Sequence, residues 1–409
     1  MSDSEREGAT GSQAADDLLR GPAGADGMLP PDVLDGAGQP YRALYLHLPF
    51  CQSRCAYCDF VTEAVPCDDP RIDAYVERLV LAIRRAGRQG LLGSIETVYL
   101  GGGTPSYVGL RRLSEILYTL SLSMHLTPEV ECTMEANPES LTPAMVKDIW
   151  ALGVNRLSIG VQSLHDSTLR ILQRIHTADK ARAAIAMARE RFDNVSVDIM
   201  CGIPGQDPED YCKDLAEVVE LGANHVSVYP LTIEEGTPFA RMIENGELAE
   251  TPQDDEALMM QMAASILEPL GLERYEVASY ARPGYACRHN QAYWTGKPYL
   301  GLGTAAATMM QTEGRRVRVQ DGQVQDDLDR RQMVCEDLML AMRMTRGVSD
   351  EDLRAAALHL PKVQATFFVL EQRHLVRHAE GRWKPTLGGW LLGNELFGAI
   401  YDLAPGTGA

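Results

Sequence analysis

Ala43-Leu-Tyr-Leu-His-Leu48 leads through Pro49-Phe50 into Cys51-Gln-Ser-Arg-Cys55-Ala-Tyr-Cys58. A short apolar run rich in strand-forming residues thus opens directly onto a loop that carries three cysteines in eight residues. The run predicts a buried β-strand, and the loop predicts chemistry at its C-terminal end. Comparable runs recur at 95–100, 130–135, 156–161, 195–200 and 225–229, with helical patterns between them. The segment 72–85, for example, places apolar residues three and four apart. Alternation of this kind implies parallel strands joined by crossover helices. Six units predict an α/β fold, a partial (β/α)6 barrel, with its site at the C-terminal strand ends.

Thiolates are soft ligands suited to iron–sulfur clusters. Cys51, Cys55 and Cys58 offer three, enough for three irons of a cubane with the fourth left open. A structural zinc or three incidental thiols are the alternatives. A closed zinc site wants four ligands, usually as two cysteine pairs, and the sequence has no second pair. Spacing therefore favours a cluster.

The rest of the chain bounds the reading. Residues 1–40, rich in Gly, Ala, Pro and Asp without an apolar period, predict a disordered acidic tail. Residues 41–310 form the expected barrel domain. Residues 311–409 form a hairpin connector, turning at Asp321-Gly322, and a C-terminal winged-helix-like α+β domain. Ser349 with Asp352 predicts a helix start there, and 375–383 a small hairpin. A net charge of −19 over 409 residues argues against a nucleic-acid partner. Nine cysteines without a disulfide-like spacing, no apolar run of membrane-spanning length and no signal-peptide pattern give a cytoplasmic expectation.

Polar residues stand at the ends of the later runs: Glu135, Gln162 after Gly160-Val161, and Asp198. One alone is as readily a solvated strand end, but the repetition points to a shared ligand. Gly101-Gly-Gly-Thr-Pro105 follows the second run, and glycines there let backbone approach a ligand closely.

The Cys-x-x-x-Cys-x-x-Cys loop, with Tyr57 in its last spacer, resembles the signature of the radical S-adenosylmethionine (SAM) proteins. The resemblance implies a [4Fe-4S] cluster whose open iron binds SAM and cleaves it reductively to a 5′-deoxyadenosyl radical. It further implies that Gly102, Gly103 and Thr104 lie beside the methionine amino group. Glu135, Gln162 and Asp198 would contact SAM, with Arg174, on the helix after the fourth strand, and Tyr45. The segments 45–51, 158–163, 202–206 and 229–238 are similar to the coproporphyrinogen dehydrogenase-like group, across nearly all of 41–403. That group's dehydrogenases carry a fourth cysteine two residues after the third, where this chain has Phe60. Cys-x-Phe and His289-Asn-Gln-Ala-Tyr-Trp294 instead resemble its haem chaperone branch, HemW. The resemblance implies a protein that binds haem and passes it to acceptors such as respiratory enzymes, through transient contact with membrane proteins and as a homodimer. Oxygen-independent coproporphyrinogen III oxidation, or another SAM-dependent radical reaction on a tetrapyrrole, is the alternative function. His289 is the candidate axial ligand to haem iron, and Cys287 a second one. The stretch 299–308 lacks a histidine that relatives often carry there.

Overall fold

Six strands run parallel, in chain order, through the computed structural model, which describes residues 28–30, 33–34, 38–124 and 126–405. They are β1 (Ala43–Leu48), β2 (Thr97–Gly102), β3 (Glu131–Ala136), β4 (Arg156–Gln162), β5 (Asn194–Cys201) and β6 (His225–Pro230). The chain returns through α1 (Pro70–Arg88), α2 (Leu110–Ser123), α3 (Pro143–Ala151), α4 (Ala178–Arg189) and α5 (Pro208–Glu220). In α1 the Asp69 side chain accepts from the Arg71 amide and Pro70 opens the helix, a start that satisfies an orphan donor. Ile72, Tyr75, Val76, Leu79, Val80 and Ile83 then form one buried face. It packs over a sheet whose Leu44, Leu46 and Leu48 are fully buried. Each such side chain contributes about 1.5–3 kcal/mol relative to exposure.

The sheet stays open. Beyond β6 lie β7 (Ser279–Ala281), antiparallel to it, and the two-residue strand Glu273–Arg274. Beyond β1 lie β8 (Tyr299–Leu302), parallel to it, and an antiparallel meander of β9 (Ala307–Gln311), β10 (Arg315–Gln320) and β11 (Gln323–Asp329). The β10–β11 turn places Asp321 at φ 48° and Gly322 at φ 77°, the paired positive angles of a type I′ hairpin. The hairpin is thus the outer part of the barrel sheet, where the sequence suggested a separate connector.

Helix α6 (Gln253–Leu267) packs on α5, the short α7 (Arg288–Trp294) borders the site, and α8 (Arg330–Ala341) then opens the C-terminal unit. That unit has its own core, including Leu338, Val363, Phe367, Leu396 and Ile400, beside a three-stranded sheet of Val348–Ser349, Arg382–Pro385 and Val376–Ala379. The Ser349 hydroxyl accepts from the Asp352 amide at 3.0 Å, the expected helix start. The unit is fastened to the barrel by Thr345, which donates through its amide and hydroxyl to the Tyr275 carbonyl. Arg343 adds a second fastening, lying over the rings of Trp294 at 5.0 Å and Phe397 at 4.9 Å.

The expectation of a free tail up to residue 40 is corrected at its end. Leu34 is buried against Met310, Val317 and Val319, and the Gln39 amide donates to the Gln311 carbonyl. Apolar side chains there find an unfilled face of the meander, which local composition does not reveal. Residues 1–27 lie outside the described residues. Among the described residues no helix is long and apolar enough to cross a membrane.

Candidate functional site

The loop after β1 lines a cavity of about 490 Å³ at the C-terminal mouth of the barrel, a size suited to a small-molecule ligand. Cys51, Cys55 and Cys58 all face it, and all nine cysteines are free thiols. Burial pushes the Cys51 thiol up to about 11, against a hydrogen bond with Thr104, and raises Cys58 as well. Among the described residues no three His, Cys, Asp or Glu side chains converge on a single-ion point. Three thiols facing a shared space instead suit a cluster in which each sulfur takes its own iron.

The glycines after β2 serve this loop. The Gly103 amide donates to the Leu48 carbonyl and the Thr104 amide to the Phe50 carbonyl, both at 2.8 Å. The Gly102 amide donates to Glu135 Oε2 at 3.2 Å. A Cβ on Gly103 would sit 2.7 Å from the Phe50 carbonyl oxygen. The segment lines the cavity, but these amides are already engaged. The glycines let β2 lie flush against the backbone that leads into Cys51. Thr104 is buried, with Oγ1 3.5 Å from Cys51 Sγ and accepting from Asn137 Nδ2 at 3.0 Å.

Glu135 ends β3 and accepts from the Tyr99 hydroxyl at 2.8 Å. Burial, seconded by the nearby Asp198 charge, raises its carboxyl to about 7 despite that hydrogen bond. Asp198 lies in the middle of β5 rather than at its end, level with Gly160 on β4 and Ser227 on β6. Burial raises it to about 6, opposed by hydrogen bonds with Ser227 and Ser158 and by the charge of Arg156. The cavity floor is therefore a pair of protonatable acids beside one buried guanidinium.

Gln162 interrupts the β4–β5 register as a bulge and has φ 68°. That angle strains a residue with a Cβ, and bulges often re-aim a side chain at a site. Here Gln162 faces the cavity. Arg174 lies past the end of the short helix Asp166–Ile171, not on it. Its guanidinium donates to Gly160 O at 2.8 Å, Asn137 Oδ1 at 2.9 Å and Cys55 Sγ at 3.3 Å. One side chain thus ties two strand ends to the cysteine loop. Phe60 stands on the cavity rim, 71% exposed.

The structure does not bring Tyr45 into this cavity. Its hydroxyl is 3.0 Å from His47 Nδ1 and its ring stacks on Tyr99 at 6.2 Å, one layer away. Tyr45 lines a second, open cleft of about 380 Å³ with Tyr293, Trp294, Tyr299, Met309 and Arg318. Helix α7 forms the wall of this cleft. His289 is 1% exposed, with Nδ1 hydrogen-bonded to Thr97 Oγ1 at 2.9 Å and Nε2 to the Tyr293 hydroxyl at 3.0 Å. Burial lowers its pKa to about 3, so the ring is neutral. Both nitrogens are engaged, and ligation to iron would require breaking one of these bonds. Cys287 is buried as well, with Sγ 3.7 Å from Glu131 Oε1.

Sequence reading missed Tyr99, Arg156, Ser158, Asn137, Tyr229 and Asn290, all of which line the main cavity. A signal was present for some of them. Arg156, Ser158, Gly160 and Gln162 are alternate residues of β4, and alternate strand residues share a face.

A profile of the radical SAM superfamily matches residues 45–218. The heme chaperone HemW of Bacillus subtilis is 30% identical over 384 residues, which cover 88% of this chain and 99% of that protein. The heme chaperone HemW of Mycobacterium tuberculosis is 38% identical over 281 residues, covering 68% and 71%. The solved structure of Escherichia coli coproporphyrinogen III oxidase (HemN), described as a radical SAM enzyme, superposes with a TM-score of 0.72 at 20% identity. It covers 88% of this chain and 90% of that one, a likeness of fold. On sequence identity over this much of both chains, the protein belongs to the HemW family of the radical SAM superfamily.

Proposed function

We propose that this protein binds haem and transfers it to acceptor proteins, on a barrel that holds a [4Fe-4S] cluster and SAM. The observation that carries the reading is family membership through relatives named heme chaperones at 30% and 38% identity. Two features support it. Phe60 occupies the rim position at which the resemblance to the dehydrogenases calls for a cysteine, and an aromatic cleft opens along α7.

Cys51, Cys55 and Cys58 would hold the cluster, which supplies one-electron reducing chemistry and an open iron when bound. Gly102, Gly103, Thr104, Glu135, Gln162, Arg174 and Asp198 surround the space beside it and would hold SAM. Arg174 orients the loop through Cys55. A protonated Glu135 or Asp198 is a hydrogen-bond donor, and each becomes an acceptor once a cationic ligand lowers its pKa. The aromatic faces of Trp294, Tyr293 and Tyr299 suit a porphyrin plane. Delivery in the cytoplasm, to respiratory enzymes, through membrane-protein contacts and as a homodimer, belongs to the same proposal and rests on resemblance.

The test is anaerobic. Reconstituted protein loaded with hemin is mixed with an apo-haemoprotein, and transfer is followed by the acceptor's absorbance. Triple replacement of Cys51, Cys55 and Cys58 by alanine is expected to abolish delivery, and undiminished delivery removes the cluster from the function. A parallel incubation with SAM, a reductant and coproporphyrinogen III should give no decarboxylated product. Protoporphyrinogen formed at catalytic turnover overturns the chaperone reading in favour of oxidation.

A further inference from the structure

Helix α7 presents side chains to two different cavities. Asn290 lines the cluster cavity, and its amide makes no side-chain hydrogen bond among the described residues. Tyr293 and Trp294, one turn on, line the aromatic cleft. Between them His289 sits in the partition, bonded to Thr97 of β2 and to the Tyr293 hydroxyl. The partition is thin. Tyr99 borders the cluster cavity and bonds Glu135, while its ring is backed by His289 at 5.0 Å and Tyr45 at 6.2 Å. Tyr45 itself borders the cleft.

The cleft is selective in its chemistry. Three tyrosine rings and one indole are joined by Met309, and its guanidinium, Arg318, is already neutralised by Asp326 and Glu336. Such a lining receives a flat, uncharged aromatic face rather than an anion.

We infer that α7 links the occupancy of the two cavities, with Asn290 a ligand contact on the cluster side and Trp294 one on the cleft side. This rests on the haem reading above and concerns its regulation. A ligand that hydrogen-bonds the Asn290 amide fixes the register of a two-turn helix whose next turn, through Tyr293 and Trp294, forms the cleft. A planar ligand in the cleft then meets a wall that is already ordered, and the second binding event loses less conformational freedom. Coupling of this kind is reciprocal. The contiguous Tyr99–His289–Tyr293 contact provides a second physical route for it.

The experiment uses the full chain with its reconstituted cluster, kept anaerobic. Hemin affinity is titrated by absorbance without SAM and with SAM at a concentration shown to saturate each protein. The wild type should bind hemin at least about fivefold more tightly with SAM. In Asn290→Leu, close in size, and in Asn290→Ala, the ratio should fall to within about twofold of one. Trp294→Ala should weaken hemin binding with SAM and without it. A wild-type ratio near one overturns the linkage, as does an unchanged ratio in both Asn290 variants. Hemin that fails to bind the wild type at all overturns the haem reading itself, a result distinct from bound hemin that ignores SAM.

Discussion

Replacing Gly103 by alanine adds one methyl group, and the structure says what that methyl meets. Its Cβ would lie 2.7 Å from the Phe50 carbonyl oxygen and 2.8 Å from both the Phe50 nitrogen and the Pro49 carbonyl carbon. All three are backbone atoms, so no side chain can swing aside, and the segment must shift by roughly half an ångström. The shift stretches the hydrogen bonds from Gly103 N to Leu48 O and from Thr104 N to Phe50 O. Overpacking at about 1–3 kcal/mol, with about 1 kcal/mol for weakened hydrogen bonds, totals roughly 2–4 kcal/mol. For a barrel of this size that lowers Tm by about 5–10 °C. Cys51 is the next residue, so the cluster loop moves with Phe50. Iron bound per chain after anaerobic reconstitution should fall below about half of wild type. Gly314→Ala is the control, because nothing lies within 4 Å of its Cβ. Equal iron content and equal Tm in the two variants would refute the argument that Gly103 is there to seat the cysteine loop.

Arg174→Ala removes the donor to Cys55, Asn137 and Gly160 at once. SAM affinity, measured by equilibrium dialysis, should drop at least about tenfold, and Arg174→Lys should restore little because an ammonium lacks the planar fork. Glu135 titrates about 7 in the fold against an ordinary value of 4.5. The folded state therefore holds a proton that the unfolded state has lost, and stability declines as pH rises from about 4.5 through 7. Allowing for screening by water in the cavity, Glu135→Gln should remove about 1–2 kcal/mol of that decline. Urea midpoints at pH 5 and pH 8 measure it, and parallel profiles for the two proteins would count against the buried-acid account. Phe60→Ser, at a side chain 71% exposed, should change stability by less than about 0.5 kcal/mol while slowing hemin transfer. A large loss of Tm would mean that Phe60 holds the loop instead.

The cysteine loop was legible because its three thiols, which the structure turns to one cavity, lie within eight residues. The barrel was legible because strand and helix periods alternate in chain order. Arg174 was harder, since an arginine near a helix reads as solvated, and its partners Asn137 and Gly160 come from two different strand ends. Gly102 and Gly103 announced close approach but not the partners, which are the His47 ring for Gly102 and Phe50 with the backbone around it for Gly103, some 50 residues earlier. The placement of Tyr45 beside the second cleft was not legible, because alternation gives the face of a strand but not the depth of a side chain within the barrel. Nothing local could say that the Tyr99 ring lies between it and the cavity. His289 and Thr97 are 192 residues apart, and short-range patterns carry no information about such a pair.

The bulge at Gln162 has a consequence for anyone who would improve this protein. Glycine adopts φ 68° without penalty, so Gln162→Gly should relax the backbone by about 1 kcal/mol. It would also delete the amide that faces the cavity. A thermostability screen run on ligand-free protein would thus favour glycine at 162, and a screen run with SAM present would retain the glutamine. The same position scores as a flaw or as an asset according to what is in the tube.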